Sequence, residues 1–130
     1  MVSKTRKSKY STAVQSALAR RQHATNAQLA DDLRDVYPDV SDTTVHRVTQ
    51  RLVTSGQCIK APLAKCGSRR FDANTTTHDH FECTDCQQLR DINVSDEFRD
   101  EIRANVGDCS ISGPLTIQGV CQKCLTKRKV

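Results

Sequence analysis

Residues 78–91 read His-Asp-His-Phe-Glu-Cys-Thr-Asp-Cys-Gln-Gln-Leu-Arg-Asp, so one short segment carries donors for two kinds of metal site. Cys83-x-x-Cys86 is matched near the C-terminus by Cys121-x-x-Cys124. Four thiolates in two such knuckles suit a tetrahedral structural zinc, each sulfur about 2.3 Å from the ion. Disulfides or redox dithiols are the competing use of CxxC. Disulfide frameworks belong to small secreted chains with an apolar leader, and the opening MVSKTRKSK is basic without one. Zinc is the expectation. The 34 residues between Cys86 and Cys121 exceed a usual zinc-ribbon gap, so a folded unit is expected between the knuckles.

His78 and His80 would share one face of a strand, because side chains alternate along it. Two histidines on an edge strand are ordinarily just solvated. Here the chain has only four histidines, and a carboxylate stands on either side of this pair, Asp72 before and Asp91 after. A hydrolase or deaminase would need an open zinc position and a general base within a catalytic motif. No HExxH occurs, and Glu82, on the strand face of the histidines, has no such motif around it. The chain is read as a non-enzyme with no small-molecule substrate.

A chain of 130 residues with two Tyr, three Phe and no Trp makes one domain or two small ones. Neither half can bury a large core, so metal or a partner subunit is expected to help. No apolar run approaches the ~20 residues of a membrane span. Seven cysteines without an export signal point to a soluble protein of the reducing cytoplasm. The net charge of +5 hides an asymmetry: residues 1–70 carry +8 and residues 71–130 carry −3. A basic front and an acidic, ligand-rich back suggest nucleic-acid binding in front and control behind.

The elements that would position these residues follow from periodicity and caps. The basic opening to Lys9 reads as a mobile arm for phosphates or a minor groove. Tyr10–Arg21 reads as a helix burying Ala13, Val14, Ala17 and Leu18. Thr25 and Gln28 form a capping box for a second helix with a stripe of Leu29, Ala30, Leu33, Val36 and Tyr37, ending at Pro38. Ser41 caps a third, with Val45, Val48, Leu52 and Val53 inward, Gly56 as its stop, and Thr43, His46, Arg47, Gln50 and Arg51 outward. This pattern is that of a helix-turn-helix whose last helix enters the major groove, where Arg and Gln match base edges. Runs 57–63 and 68–72 predict a hairpin wing offering Arg69 and Arg70 to phosphate. Residues 73–77 are small and polar, a linker. Beyond it come strands 78–83 and 89–94, a helix capped by Ser95, and a half-buried strand through Cys109, Ile111, Leu115 and Ile117, with Pro114 at an edge or bulge.

The order of helix-turn-helix, wing, Arg70-Phe71-Asp72, His78-x-His80-Phe81-x-Cys83-x-x-Cys86, Asp91 and Gly119-Val120-Cys121-x-x-Cys124 resembles the ferric uptake regulator superfamily over nearly the whole chain. The resemblance implies an α+β chain: a winged helix-turn-helix DNA-binding domain (1–72), a hinge (73–77), and an α/β dimerisation domain with a four-cysteine zinc site (78–130). It implies a homodimeric, metal-dependent repressor of a palindromic double-stranded DNA operator. Carried over by position, Cys83, Cys86, Cys121 and Cys124 would hold structural zinc. His23, Asp72, His78, His80 and Asp91 would hold a regulatory Fe(II) or Mn(II), or zinc. Asp91, where iron sensors usually have Glu, points to the peroxide-sensing branch, in which a ligand histidine, His23 or His78 here, is oxidised.

Some positions depart from the family pattern. The usual TVYR is Thr44-Val45-His46-Arg47, the usual Gly after the first knuckle is Gln87, and a further histidine-rich site is reduced to Asp79, with Gly113 in place of its histidine. Only Lys9 remains near the first helix as a groove contact. Cys58, Cys66 and Cys109 would suit a softer, zinc-sensing site as the alternative, with Cys109 read as core and Cys66 as the one exposed thiol. A zinc-stabilised interaction module without DNA binding is the other alternative.

Overall fold

The computed structural model describes residues 2–107 and 109–128, with side chains from residue 9 onward. The chain divides into two compact units, residues 1–75 and 76–130. The first contains α1 (Val2–Arg21), β1 (His23–Thr25), α2 (Asn26–Arg34), α3 (Asp42–Thr54), β2 (Ile59–Ala61) and β3 (Arg70–Asp72). The second contains β4 (Asp79–Cys83), β5 (Leu89–Ile92), α4 (Asp96–Asn105), β6 (Thr116–Gly119) and α5 (Gln122–Arg128).

In the first unit three helices pack around Val14, Ala17 and Leu18 of α1, Leu29, Ala30 and Leu33 of α2, and Val45, Val48 and Leu52 of α3. The caps are those expected. Thr25 Oγ1 accepts from the Gln28 amide at 3.2 Å, and the Thr25 amide donates back to Gln28 Oε1 at 3.0 Å. Ser41 Oγ accepts from the Thr44 amide at 3.1 Å, and Gly56 leaves α3 at φ 77°, left-handed backbone that glycine adopts without a Cβ penalty. A three-stranded antiparallel sheet of order β1-β3-β2 closes the unit.

Three expectations change here. Residues 2–9 are the first turns of α1 and not a free arm, because Lys and Arg are good helix formers and each added residue extends a helix already nucleated by the packed Tyr10–Arg21 segment. β1 was not expected; it exists through pairing, His23 opposite Asp72 and Thr25 opposite Arg70. α2 stops at Arg34, leaving Val36 71% exposed, while Tyr37 turns back to meet the Tyr10 ring edge-on at 5.3 Å.

The second unit is a sheet of order β5-β4-β6, with β4–β5 antiparallel and β4–β6 parallel. Ser95 caps α4 by accepting from the Phe98 amide at 3.2 Å. Buried Asp79 pins the unit, accepting from the Arg99 guanidinium, the Leu115 amide at 2.8 Å and the Val94 amide at 3.3 Å. Burial pushes its pKa up, but these donors outweigh it and hold the carboxyl below the usual range. The expected strand from Cys109 to Ile117 is ordered as a strand only from Thr116, beyond Pro114, which has no N–H to give a ladder. Cys109 is exposed and donates to the Val106 carbonyl at 3.2 Å, so it is not core. α5, which follows Cys121, was not expected.

Candidate metal centres and nucleic-acid face

The four knuckle cysteines come from three places in the second unit: Cys83 ends β4, Cys86 lies in the turn before β5, and Cys121 immediately precedes α5 with Cys124 in its first turn. Their sulfurs all lie within 4.8 Å of one another, with Cys83 to Cys124 at 3.8 Å and Cys86 to Cys121 at 3.9 Å. A tetrahedron of sulfurs about 2.3 Å from a central ion has edges of about 3.8 Å, whereas a disulfide needs about 2.0 Å. The group therefore fits zinc. The Cys121 amide reaches Cys83 Sγ at 3.4 Å and the Cys86 amide at 3.5 Å, and these draw the Cys83 thiol down to about 6. The neighbouring Cys121 pushes Cys124 up to about 12. Four adjacent thiolates need a cation among them, and a divalent ion reverses the order seen at Cys124.

Two backbone details shape the knuckles. Gln87 takes φ 63°, a left-handed conformation that costs a residue with a Cβ about 1 kcal/mol. A Cβ on Gly119 would stand 3.0 Å from the Phe81 ring, so β6 can lie this close to β4 only without a side chain.

The second set of ligand candidates is distributed over both units, and each half is ordered in itself. In the first unit His23 and Asp72 are cross-strand partners with Nε2 3.3 Å from Oδ2, and both side chains are nearly inaccessible. Asp72 Oδ1 also accepts from the Asn74 amide at 2.9 Å. In the second unit His78 Nε2 and His80 Nε2 are 3.0 Å apart, with Asp91 Oδ1 at 3.2 Å from the first and 3.5 Å from the second. His78 Nδ1 lies 2.6 Å from the Thr76 carbonyl, which can only accept. The proton therefore sits on Nδ1, and a neutral His78 turns the lone pair of Nε2 toward His80 and Asp91. Two imidazole nitrogens and a carboxylate oxygen this close together fit a cation, and nitrogen with oxygen donors suit Fe(II), Mn(II) or zinc.

The candidate nucleic-acid face is α3 of the first unit. Thr43, His46, Arg47, Gln50 and Arg51 are all exposed. Beside them a groove of about 1080 Å³ is lined by Tyr10, Thr44, Arg47, Gln50, Arg51 and Thr54. Tyr10 was not foreseen in this role; its helical spacing from the buried face of α1 was the available signal. Lys9 holds its ammonium 4.4 Å from the Tyr37 ring centre. Arg69 is exposed and donates to the Ala61 carbonyl at 2.9 Å. Arg70, expected at phosphate, is only 5% exposed, and its guanidinium donates inward to the Leu63 carbonyl at 3.2 Å.

The remaining thiols differ in chemistry. Burial pushes Cys58 up to about 11, while exposed Cys66 falls below its ordinary value because of the Ser68 hydroxyl 3.3 Å away.

Comparison with known proteins matches residues 3–108 to the model of the ferric uptake regulator family. The transcriptional regulator PerR of Clostridium acetobutylicum is 30% identical over 63 residues, 47% of this chain and 46% of that one, so the match spans about half of that relative's length. The Helicobacter pylori ferric uptake regulator, described as having three functional metal binding sites, superimposes with TM-score 0.71 at 21% identity over 90% of this chain and 80% of that one. The Campylobacter jejuni peroxide stress regulator gives 0.69 at 20% identity over 92% of each. Both structural likenesses are likenesses of fold.

Proposed function

The chain belongs to the ferric uptake regulator family, whose members are transcriptional regulators and not enzymes, and on that premise we propose that it is a metal-switched repressor binding a palindromic operator as a homodimer. The observation that carries the reading is the convergence of His78, His80 and Asp91, with the His78 proton held on Nδ1 by Thr76 so that Nε2 faces the site. Residues 1–72, 73–77 and 78–130 then act as reading head, hinge and dimerisation domain.

In this reading Cys83, Cys86, Cys121 and Cys124 hold zinc. Together with the chain's own packing, that staple makes the second unit rigid enough to pair. The exposed Phe98 of α4 and Val106 at its C-cap, with Ile117 and Leu125, offer apolar surface for a second copy to cover. His23 and Asp72 from the first unit and His78, His80 and Asp91 from the second share the regulatory ion. Its charge, when bound, favours one relation of the two units. Two copies of α3 can then match half-sites one helical turn apart, with Arg47, Gln50 and Arg51 at base edges and Lys9 and Arg69 at phosphate.

The nitrogen and oxygen donor set favours Fe(II) or Mn(II), and Asp91, with the partial likeness to PerR, favours peroxide response. Gel retention on a palindromic A/T-rich operator, with Fe(II), Mn(II) or chelator, tests the switch: binding indifferent to all three would remove it. Peroxide should release DNA from the Fe(II) form alone, with added oxygen on the His23 or His78 peptide by mass spectrometry.

A further inference from the structure

We propose that His46 is a hydrogen-bond donor whose tautomer is fixed by Asn26, and that it selects guanine at one position of each operator half-site; this rests on the DNA-binding reading above. His46 is exposed on the outward face of α3, one turn before Gln50. Asn26, the first residue of α2, bridges the helices. Its Oδ1 lies 2.8 Å from Thr49 Oγ1, and its Nδ2 lies 3.1 Å from His46 Nδ1.

The direction of this chain of hydrogen bonds follows from the orientation of the Asn26 amide. Thr49 is fully buried, and its single hydroxyl proton has two acceptors in reach, Asn26 Oδ1 at 2.8 Å and the His46 carbonyl at 3.0 Å. The structure sets Asn26 Oδ1 on that hydroxyl, which leaves the amide NH2 of Asn26 facing the imidazole. An NH2 group only donates, so Nδ1 is the lone-pair nitrogen and the neutral ring carries its proton on Nε2. The edge that α3 presents to a groove at this position is thus an N–H. Holding the ring in advance also removes rotamer freedom that binding would otherwise have to freeze.

A fixed donor discriminates among major-groove edges. Guanine offers two adjacent acceptors, N7 and O6. Adenine sets an N6 donor beside its N7, thymine a methyl beside its O4, and cytosine offers a donor. Asn26 is a positioning residue: it need not touch DNA, yet its removal should blur what His46 reads.

The test selects operators from a randomised palindrome with the Mn(II)-loaded full-length protein. His46→Ala identifies the position it reads, by the preference that disappears. Wild type should favour guanine there, with about tenfold weaker binding when that pair is replaced. Asn26→Ala should keep metal-dependent binding but flatten the preference at that position. Two-bond proton–nitrogen NMR of the free 15N-labelled protein should show His46 with its proton on Nε2. A proton on Nδ1, a preference for adenine or cytosine, or a guanine preference untouched by Asn26→Ala would each overturn the inference while leaving the regulator reading standing. Retention of no DNA with or without metal would overturn both.

Discussion

In the first unit thirteen buried side chains, from Val14 through Phe71, form a core of nine helical and four non-helical residues, whereas the buried cluster of the second consists of Cys83, Cys121 and Cys124 with Phe81 and Val120 packed on it. α4 contributes no buried residue to its own unit. The first unit can thus be held by apolar burial, each large side chain contributing about 1.5–3 kcal/mol. The second has little apolar area to bury, and sulfur–metal bonds at its four clustered cysteines would supply the difference. On the proposed reading, such a division gives a first unit that folds without metal and a second whose stability depends on it.

The strongest way to break this comparison is to take the zinc away. Cys86→Ser, or a strong chelator, should remove stabilisation on the order of 10 kcal/mol from the second unit and undo the dimer. Hydrogen exchange should then show lost protection in β4, β5 and β6 and kept protection in α1 to α3; equal loss in both units would erase the distinction. A dimer persisting with no zinc would refute the assignment of the four cysteines.

The converse perturbation is Leu29→Ala, in the apolar core of the first unit. It should cost about 3 kcal/mol in urea unfolding of that unit, by the same amount with zinc or with chelator. A zinc-dependent cost would mean that the two cores are not independent. His80→Ala should leave fold and zinc content intact while weakening regulatory-metal affinity about a hundredfold, since even outer-shell losses cost ten- to hundredfold. Titration followed by operator binding reads this out, and an unchanged metal response would place sensing elsewhere.

The smallest effect concerns the surface of the first unit. Arg21 donates to Asp32 through two hydrogen bonds, of 2.6 and 2.9 Å, and this holds the Asp32 carboxyl below its ordinary 3.8. A carboxyl depressed in the folded state contributes stability above its unfolded value and loses it as pH falls through the folded one. Because the pair is partly exposed, Asp32→Asn should cost about 0.5 kcal/mol at neutral pH. Wild type and variant should converge in thermal unfolding as pH falls below the carboxyl's ordinary 3.8; a difference that grew in acid would reverse the sign.

Much of the chain was legible because its signals are local. Thr25 with Gln28, Ser41 with Gly56, and Ser95 each announce a helix end by chemistry confined to a few residues. The knuckles were legible for the same reason, since CxxC spacing alone sets how far apart two sulfurs can sit. What was not legible depends on partners remote in sequence. His23-Ala24-Thr25 has no strand pattern of its own and becomes one only against Arg70-Phe71-Asp72. In Arg69-Arg70 adjacent strand side chains face opposite ways, so one had to point inward, and only the sheet says which.

Sequence by itself settled the kinds of donor and their order: four sulfurs in two pairs, histidines flanked by carboxylates, a polar recognition face on the third helix. Those are matters of residue type and short spacing, which folding cannot alter. Tertiary structure decided that the four sulfurs share a point, that Asp79 is tied to Arg99 as a structural pin, that Cys109 faces outward, and that His46 leans on Asn26, twenty positions away. Those are matters of distance between segments, set by packing and strand register, and no local pattern encodes them.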